Sequence, residues 1–183
     1  MTTMILPLEW GTWIDENSQS TPHGSDSYLQ IGNTYSTYAR RSLMKFTYNG
    51  IPGEIQSASL NFYVSDTGGS LPIFQVWRIT RDSTINATWL SSGMTSWHAP
   101  GAENMNNDRY QTPLTSTYQI TATGWHSIPI TSLEQLQLLF DGLKTLLLRE
   151  EDVRPAATIS KTTNAPYLAI DYKSSLVGGV QII

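Results

Sequence analysis

Cysteine is absent from the 183 residues, which excludes disulfides and thiolate metal sites. Charge is scarce as well. Asp, Glu, Lys and Arg make up 14% of the chain, against about 25% in ordinary globular domains. The formal net charge is −4 and Arg40-Arg41 is the only adjacent basic pair, so no nucleic-acid partner is expected. That pair reads as solvated residues at a strand edge. No apolar run approaches the ~20 residues needed to cross a bilayer, so no membrane insertion is expected. The opening stretch MTTMILPLEWGT has no basic segment ahead of its short apolar run and does not read as a signal peptide. The expectation is a processed chain or one released without a leader. Catalytic patterns are also missing. His23, His98 and His126 stand far apart with no H-x-x-x-H spacing, and there is no G-x-S-x-G elbow and no phosphate loop. No catalytic residue and no enzymatic activity are expected.

What the chain does have is period-two alternation and turn residues. Residues 40–64 carry the clearest case. Met44, Phe46 and Tyr48 alternate with Lys45 and Thr47, then Ala58, Leu60, Phe62 and Val64 alternate with Ser59, Asn61 and Tyr63. Asn49, Gly50, Pro52 and Gly53 force a turn between them, and a hairpin is predicted. In residues 71–80 the register is ambiguous: Phe74 and Val76 could point inward, or Ile73, Trp77 and Ile79 could, and a bulge would allow both. Residues 81–117 are long and weakly periodic. Thr131 and Glu134 fit a capping box, with Leu133, Leu136 and Phe140 on one face and Gly142 at the C-terminal cap, which predicts one short helix near residues 132–141. Residues 143–148 are nearly all apolar and predict a strand buried on both faces. Roughly nine short strands with frequent turns predict an all-β protein, an antiparallel β-sandwich of jelly-roll type.

The organisation expected is an apolar N-terminal arm over residues 1–10, a single domain over 11–173 and an apolar tail over 174–183. Pro7 argues against a central strand in the first segment. Met4, Ile5, Leu6, Leu8 and Trp10 in the arm, with Leu176, Val177, Val180 and Ile182 in the tail, are candidates for contacts between subunits. The alternative for the arm is that it folds back on its own domain.

Sugar sites need flat exposed rings that stack on a pyranose, with amides and acids for the hydroxyls. Trp97, Tyr110 and Trp125 lie in or beside turns, with Asn106 and Asp108 near in the chain, and form the candidate carbohydrate-binding set; Tyr35 and Tyr38 form a second. Trp89 reads as a buried loop anchor. No cofactor is required by any of this. The oxygen-rich residues Glu103, Asn106 and Asp108 are the one candidate for Ca²⁺, although their spacing fits no defined loop.

The order of motifs resembles the DNRLRE (disaggregatase-related repeat) family over roughly residues 11–172. The carriers are WIDENSQSTPHGSDSYLQIGN, RRSLMKFTYNGIPGEIQSASLNFYV, ATWLSSGMTSWHAPGAENMNNDRY, TGWHSIPITSLEQL, and the closing GLKTLLLRE and APYLAIDY. The resemblance implies a β-sandwich of carbohydrate-binding-module type that binds or supports and does not catalyse. This sequence departs from it in being a lone copy with apolar residues at both ends, and in reading Phe46-Thr47-Tyr48 where an acid is common after Phe. Two functions are therefore expected. One is a phage-type virion structural protein, a head decoration or a tail or fibre attachment protein. It would pack on other copies of itself or on other virion or surface proteins through its arms, and present loops to host glycans. The other is a free or secreted carbohydrate-binding module. The setting expected is a virion surface or an extracellular one.

Overall fold

In a computed structural model, the described residues are 1–34, 37–48, 50–51, 53–69, 71–130, 134, 145–151 and 156–174. Of the helix expected near residues 132–141 only Glu134 is among them, and the tail with Leu176, Val177, Val180 and Ile182 lies outside. Among the described residues run ten strands: β1 (Thr2–Asp15), β2 (Tyr28–Thr34), β3 (Tyr38–Phe46), β4 (Gly53–Asp66), β5 (Ile73–Arg78), β6 (Tyr118–Gln119), β7 (Gly124–Ile130), β8 (Leu146–Glu150), β9 (Ala157–Ser160) and β10 (Tyr167–Ser174).

Alternation in β3 and β4 buries the expected faces: Met44, Phe46, Ala58, Leu60, Phe62 and Val64 all enter the central core. The two strands do not form the predicted hairpin. β3 pairs with β1, β2 and β8, whereas β4 pairs with β10, β7 and β9. Alternation selects the buried face but not the hydrogen-bonding neighbour. Here the connection, with Gly50 at φ +87°, carries the chain between two pairing sets that share one core.

β1 corrects the picture of a terminal arm. Thr2–Pro7 pair with β10, and Leu8–Asp15 pair with β3 after a bulge between Leu8 and Trp10. Leu6 is buried in the core and Met4 and Leu8 pack against it. Pro7 sits in a strand after all, at the point where pairing changes sides. It has no N–H to lose there, and its carbonyl accepts the Thr47 N–H at 2.9 Å. β2 makes the same change: Tyr28–Ile31 pair with β9, Gly32–Thr34 with β3. The path β1-β10-β4-β9-β2-β3 therefore returns to β1 and closes into a barrel-like sheet, with β8, β5 and β6 added beside β3 and β7 beside β4. Every pairing between named strands is antiparallel.

β8 is buried on both faces, as its sequence predicted. Leu146 and Leu148 join the central core, while Leu147 joins a second cluster with Ile14, Leu43, Trp77, Ile79, Trp89 and Trp97. The same division resolves β5. Phe74 and Val76 point to the central core and Trp77 to the second cluster, so both candidate registers describe a buried face. The second cluster lies under the long segment after β5, which covers the outer side of β3, β5 and β8.

Candidate binding face

The β7–β4–β10 part of the sheet has an outer side that nothing in the described structure covers. β7 alternates cleanly: His126, Ile128 and Ile130 are buried, and Trp125, Ser127 and Pro129 are exposed. The register sets Trp125 opposite Tyr63 and Ser127 opposite Asn61 on β4, and Tyr167 of β10 opposite Asn61 on the other side. Trp125 meets Tyr63 edge-on, with ring centroids 5.7 Å apart, and Tyr167 at 5.6 Å and 58°. Of the six tryptophans Trp125 alone is exposed, at 52%.

Local chemistry holds this ring in place. Gly124 takes φ +119° just before Trp125. His126, pointing inward, has Nε2 2.8 Å from the Ala122 carbonyl and Nδ1 3.0 Å from the Tyr118 hydroxyl, and its ring stacks on Phe62 at 5.7 Å. The turn before Trp125 is thereby tied to the core. Farther along the face, Asn61 donates to Ser59 Oγ and to the Ser59 carbonyl, both at 3.0 Å. Asp171 accepts from the Thr3 and Ser57 hydroxyls at 2.7 and 2.9 Å. Those hydroxyls hold its carboxyl below the usual carboxylate range. Rings, several hydroxyls and one acid thus share a solvent-facing sheet, with the Asn61 amide buried among them.

Of the sequence candidates, only Trp125 lies on this face. Trp97 is 6% exposed, belongs to the second cluster, and donates its Nε1–H to the Thr88 carbonyl at 2.9 Å. A ring held that way packs a loop and offers no stacking surface. Tyr110 is half-buried, its N–H bonded to the Arg78 carbonyl, and Asn106 is exposed at φ +76°. Asp108 is fully buried and accepts the His98 and Ala99 backbone N–H groups, both at 3.0 Å, with Arg81 Nε at 3.3 Å. It closes the loop and is not available to a sugar. Tyr38 is exposed on β3, and Tyr35 lies outside the described residues.

The calcium candidate dissolves for the same reason. The Glu103 carboxylate faces Arg41, Arg109 and Arg149, while Asp108 faces His98, Ala99 and Arg81. They make no common cage, and among the described residues no group of three or more His, Cys, Asp or Glu side chains is placed to hold a metal ion. Burial works against the Glu103 charge, but the neighbouring Arg41 and Arg149 outweigh it and lower its pKa.

Arg41 is not the solvated edge residue expected. It is 3% exposed, bonds Glu150 through Nε at 2.9 and 3.1 Å and through Nη2 at 2.7 Å, and donates to the Gly101 carbonyl at 2.6 Å. Its guanidinium lies 4.7 Å over the Trp89 ring. Burial opposes its charge; the bonds to Glu150 and Glu103 prevail and raise its pKa. Trp89 is the loop anchor expected of it.

Tyr63 and Tyr167 were missed as site residues. The signal was present for both: each stands on the polar phase of an alternating strand, where an aromatic ring needs a reason.

The described residues thus form a closed antiparallel β-domain with an uncovered aromatic face. The model of carbohydrate-binding module family 96 matches residues 3–172, and the chain belongs to that family. The resemblance to DNRLRE repeats holds at the level of a carbohydrate-binding-module-like domain, while the matching family carries a different name. The match opens at residue 3, so β1 falls within the family's domain. No curated protein matches the chain.

Proposed function

We propose that the protein binds a polysaccharide chain on the outer face of β7, β4 and β10, with Trp125 as the stacking ring and Tyr63 and Tyr167 as its lateral supports. The supporting observation is that Trp125 is the one exposed tryptophan, braced by two tyrosines from neighbouring strands. A pyranose ring presents an apolar C–H face to such an indole, and the Ser127 and Ser59 hydroxyls are the polar groups beside it. No bond is made or broken; the protein holds the polymer. We further read the closed sheet as a flattened, jelly-roll-like sandwich. Support comes from Phe62 of β4 facing Phe74 of β5 across the core at 6.0 Å, although these strands do not pair.

The virion role expected from the sequence gains no support from the family match, and the residues it leaned on at 4–10 belong to β1. We place the protein in an extracellular or particle-surface setting, where structural polysaccharides are exposed. The test is retention on immobilised polysaccharides, compared for the wild type, Trp125→Ala and Tyr63→Ala. We expect Trp125→Ala to weaken binding by about tenfold or more, which corresponds to ~1.4 kcal/mol. Wild-type retention of Trp125→Ala would remove the face as the binding site.

A further inference from the structure

We infer that residues 175–183 of the chain dock as an added strand in the apolar groove between the first half of β1 and the connection that follows β3. The inference does not depend on glycan binding at Trp125. The groove has a volume of about 620 Å³, several times the ~150 Å³ that holds a benzene ring. Met4, Ile5, Leu6 and Pro7 form one wall, Thr47 and Ile51 stand on the other, and no lining residue is charged. Ile5 is 53% exposed, a large aliphatic side chain left to solvent at the rim.

The β1 wall is an open sheet edge. Thr2–Pro7 pair with β10 on one side, and among the described residues no strand pairs with them on the other. The groove begins where the Thr47 N–H reaches the Pro7 carbonyl at 2.9 Å. That carbonyl faces the groove, and the strand period of two turns the N–H and C=O groups of Thr3 and Ile5 the same way. No charged residue lies within Thr2–Pro7 to guard the edge. The occupant that fits such a place is extended, aliphatic and uncharged.

The chain supplies such a segment at the mouth of the groove. β10 ends at Ser174, which stands opposite Gly53 on β4, two residues after Ile51 of the groove wall. Tyr172 stands opposite Thr2, so the chain leaves β10 beside the start of β1. Leu176, Val177, Val180, Ile182 and Ile183 follow, and no residue from 175 to 183 is charged. Two strand spacings, about 10 Å, separate β10 from a new strand on the far side of β1, and residues 175–177 are long enough to cross them. Residues 178–183 then match the ~20 Å length of Thr2–Pro7. Val180 and Ile182 are β-branched and share one strand phase. Tethering gives this segment an effective concentration on the order of millimolar, which favours it over the same segment of a second copy in dilute solution.

The absence of cysteine allows a clean test on the full chain. Gln181→Cys carries a nitroxide spin label, and methionine methyl signals are read by NMR. We expect the Met4 signal to broaden strongly and those of Met94 and Met105, on the long loop, to stay sharp. Amide exchange at Thr3 and Ile5 should be slow in the wild type and about tenfold or more faster in Val180→Asp/Ile182→Asp. Unchanged exchange at Leu60 shows that the core of the variant is intact. A sharp Met4 signal, with Thr3 and Ile5 exchanging equally fast in both proteins, would overturn the inference. A second sample mixes spin-labelled chains with isotope-labelled chains that carry no spin label. Broadening of Met4 in that mixture, as strong as within one chain, would give the groove to a second copy and overturn docking of the chain's own segment. None of these outcomes bears on the Trp125 face, which lies at the other end of β4.

Discussion

The two outer sides of the closed sheet make opposite use of the same residue types. On the side of β3, β5 and β8, Trp89 and Trp97 of the long loop pack with Trp77 of β5 in a buried cluster, and Glu103 of the same loop pairs with Arg41, which also bonds Glu150. On the side of β4, β7 and β10, Trp125 has tyrosines beside it and solvent above it. A tryptophan in a β-protein is therefore no sign of a ligand by itself; what matters is whether another part of the chain lies over it. The covered side gains stability, and the bare side keeps the apolar area that a ligand needs.

The sharpest way to break this contrast is at its ends. Arg41→Ala leaves Glu150 buried without its partner and should cost about 3–5 kcal/mol, read by urea or thermal unfolding. Sugar binding by the molecules that remain folded should not change. Trp97→Ala should cost a similar ~3–5 kcal/mol for a buried ring and leave glycan affinity intact, while Trp125→Ala should change stability by no more than ~1 kcal/mol and remove affinity. The reverse pattern, with Trp97 controlling affinity and Trp125 stability, would overturn the contrast.

A smaller effect is expected at Gly101. It takes φ +75°, and a Cβ there would stand 2.7 Å from both Arg41 Nη1 and Trp89 Cζ2. Gly101→Ala should cost about 1–3 kcal/mol, measured by the unfolding midpoint, and should disturb the covered side alone. Gly50→Ala meets nothing within 4 Å and tests the conformational strain without the contact.

The least effect comes from acid. Glu103 and Asp171, one on each side, have folded pKa values below their unfolded ones. Each contributes stability that is complete above the usual carboxylate range, about 4, and is lost as pH falls through the lowered folded value. Thermal midpoints should fall below pH 4, and Glu103→Gln and Ser57→Ala should each flatten part of that decline. A decline unchanged by both would place the acid sensitivity elsewhere.

Much of this architecture was legible in the chain. Alternation identified the buried phases of β3 and β4, and the nearly unbroken apolar run of β8 announced burial on both faces. Pairing was not legible, because a strand's pattern states which face is dry and not which neighbour accepts its N–H groups. Pro7 misled for a related reason: a residue without an N–H is costly inside a ladder but harmless where a strand leaves one partner for another. Arg41 misled because its partners, Glu103 and Glu150, are far away in sequence. Among the site candidates Trp125 was legible from its turn, and Tyr63 and Tyr167 were legible only once their outward phase met the cross-strand register. Trp97 and Trp125 look alike in sequence, since both sit near glycine and polar residues. Only the position of the loop separates them.

β1 begins beside the end of β10, with Thr2 opposite Tyr172 in an antiparallel pair. A mechanical load applied between the two ends of the domain would therefore open that ladder from its tip, one bonded pair at a time, with no shear across the whole strand. The first six residues of β1 would peel before the closed ring felt any tension, and Pro7 marks where the next part of the strand is held by β3 instead. The domain would yield softly at first and then stiffen, while β7, which pairs with β4 and carries Trp125, lies off the line of force.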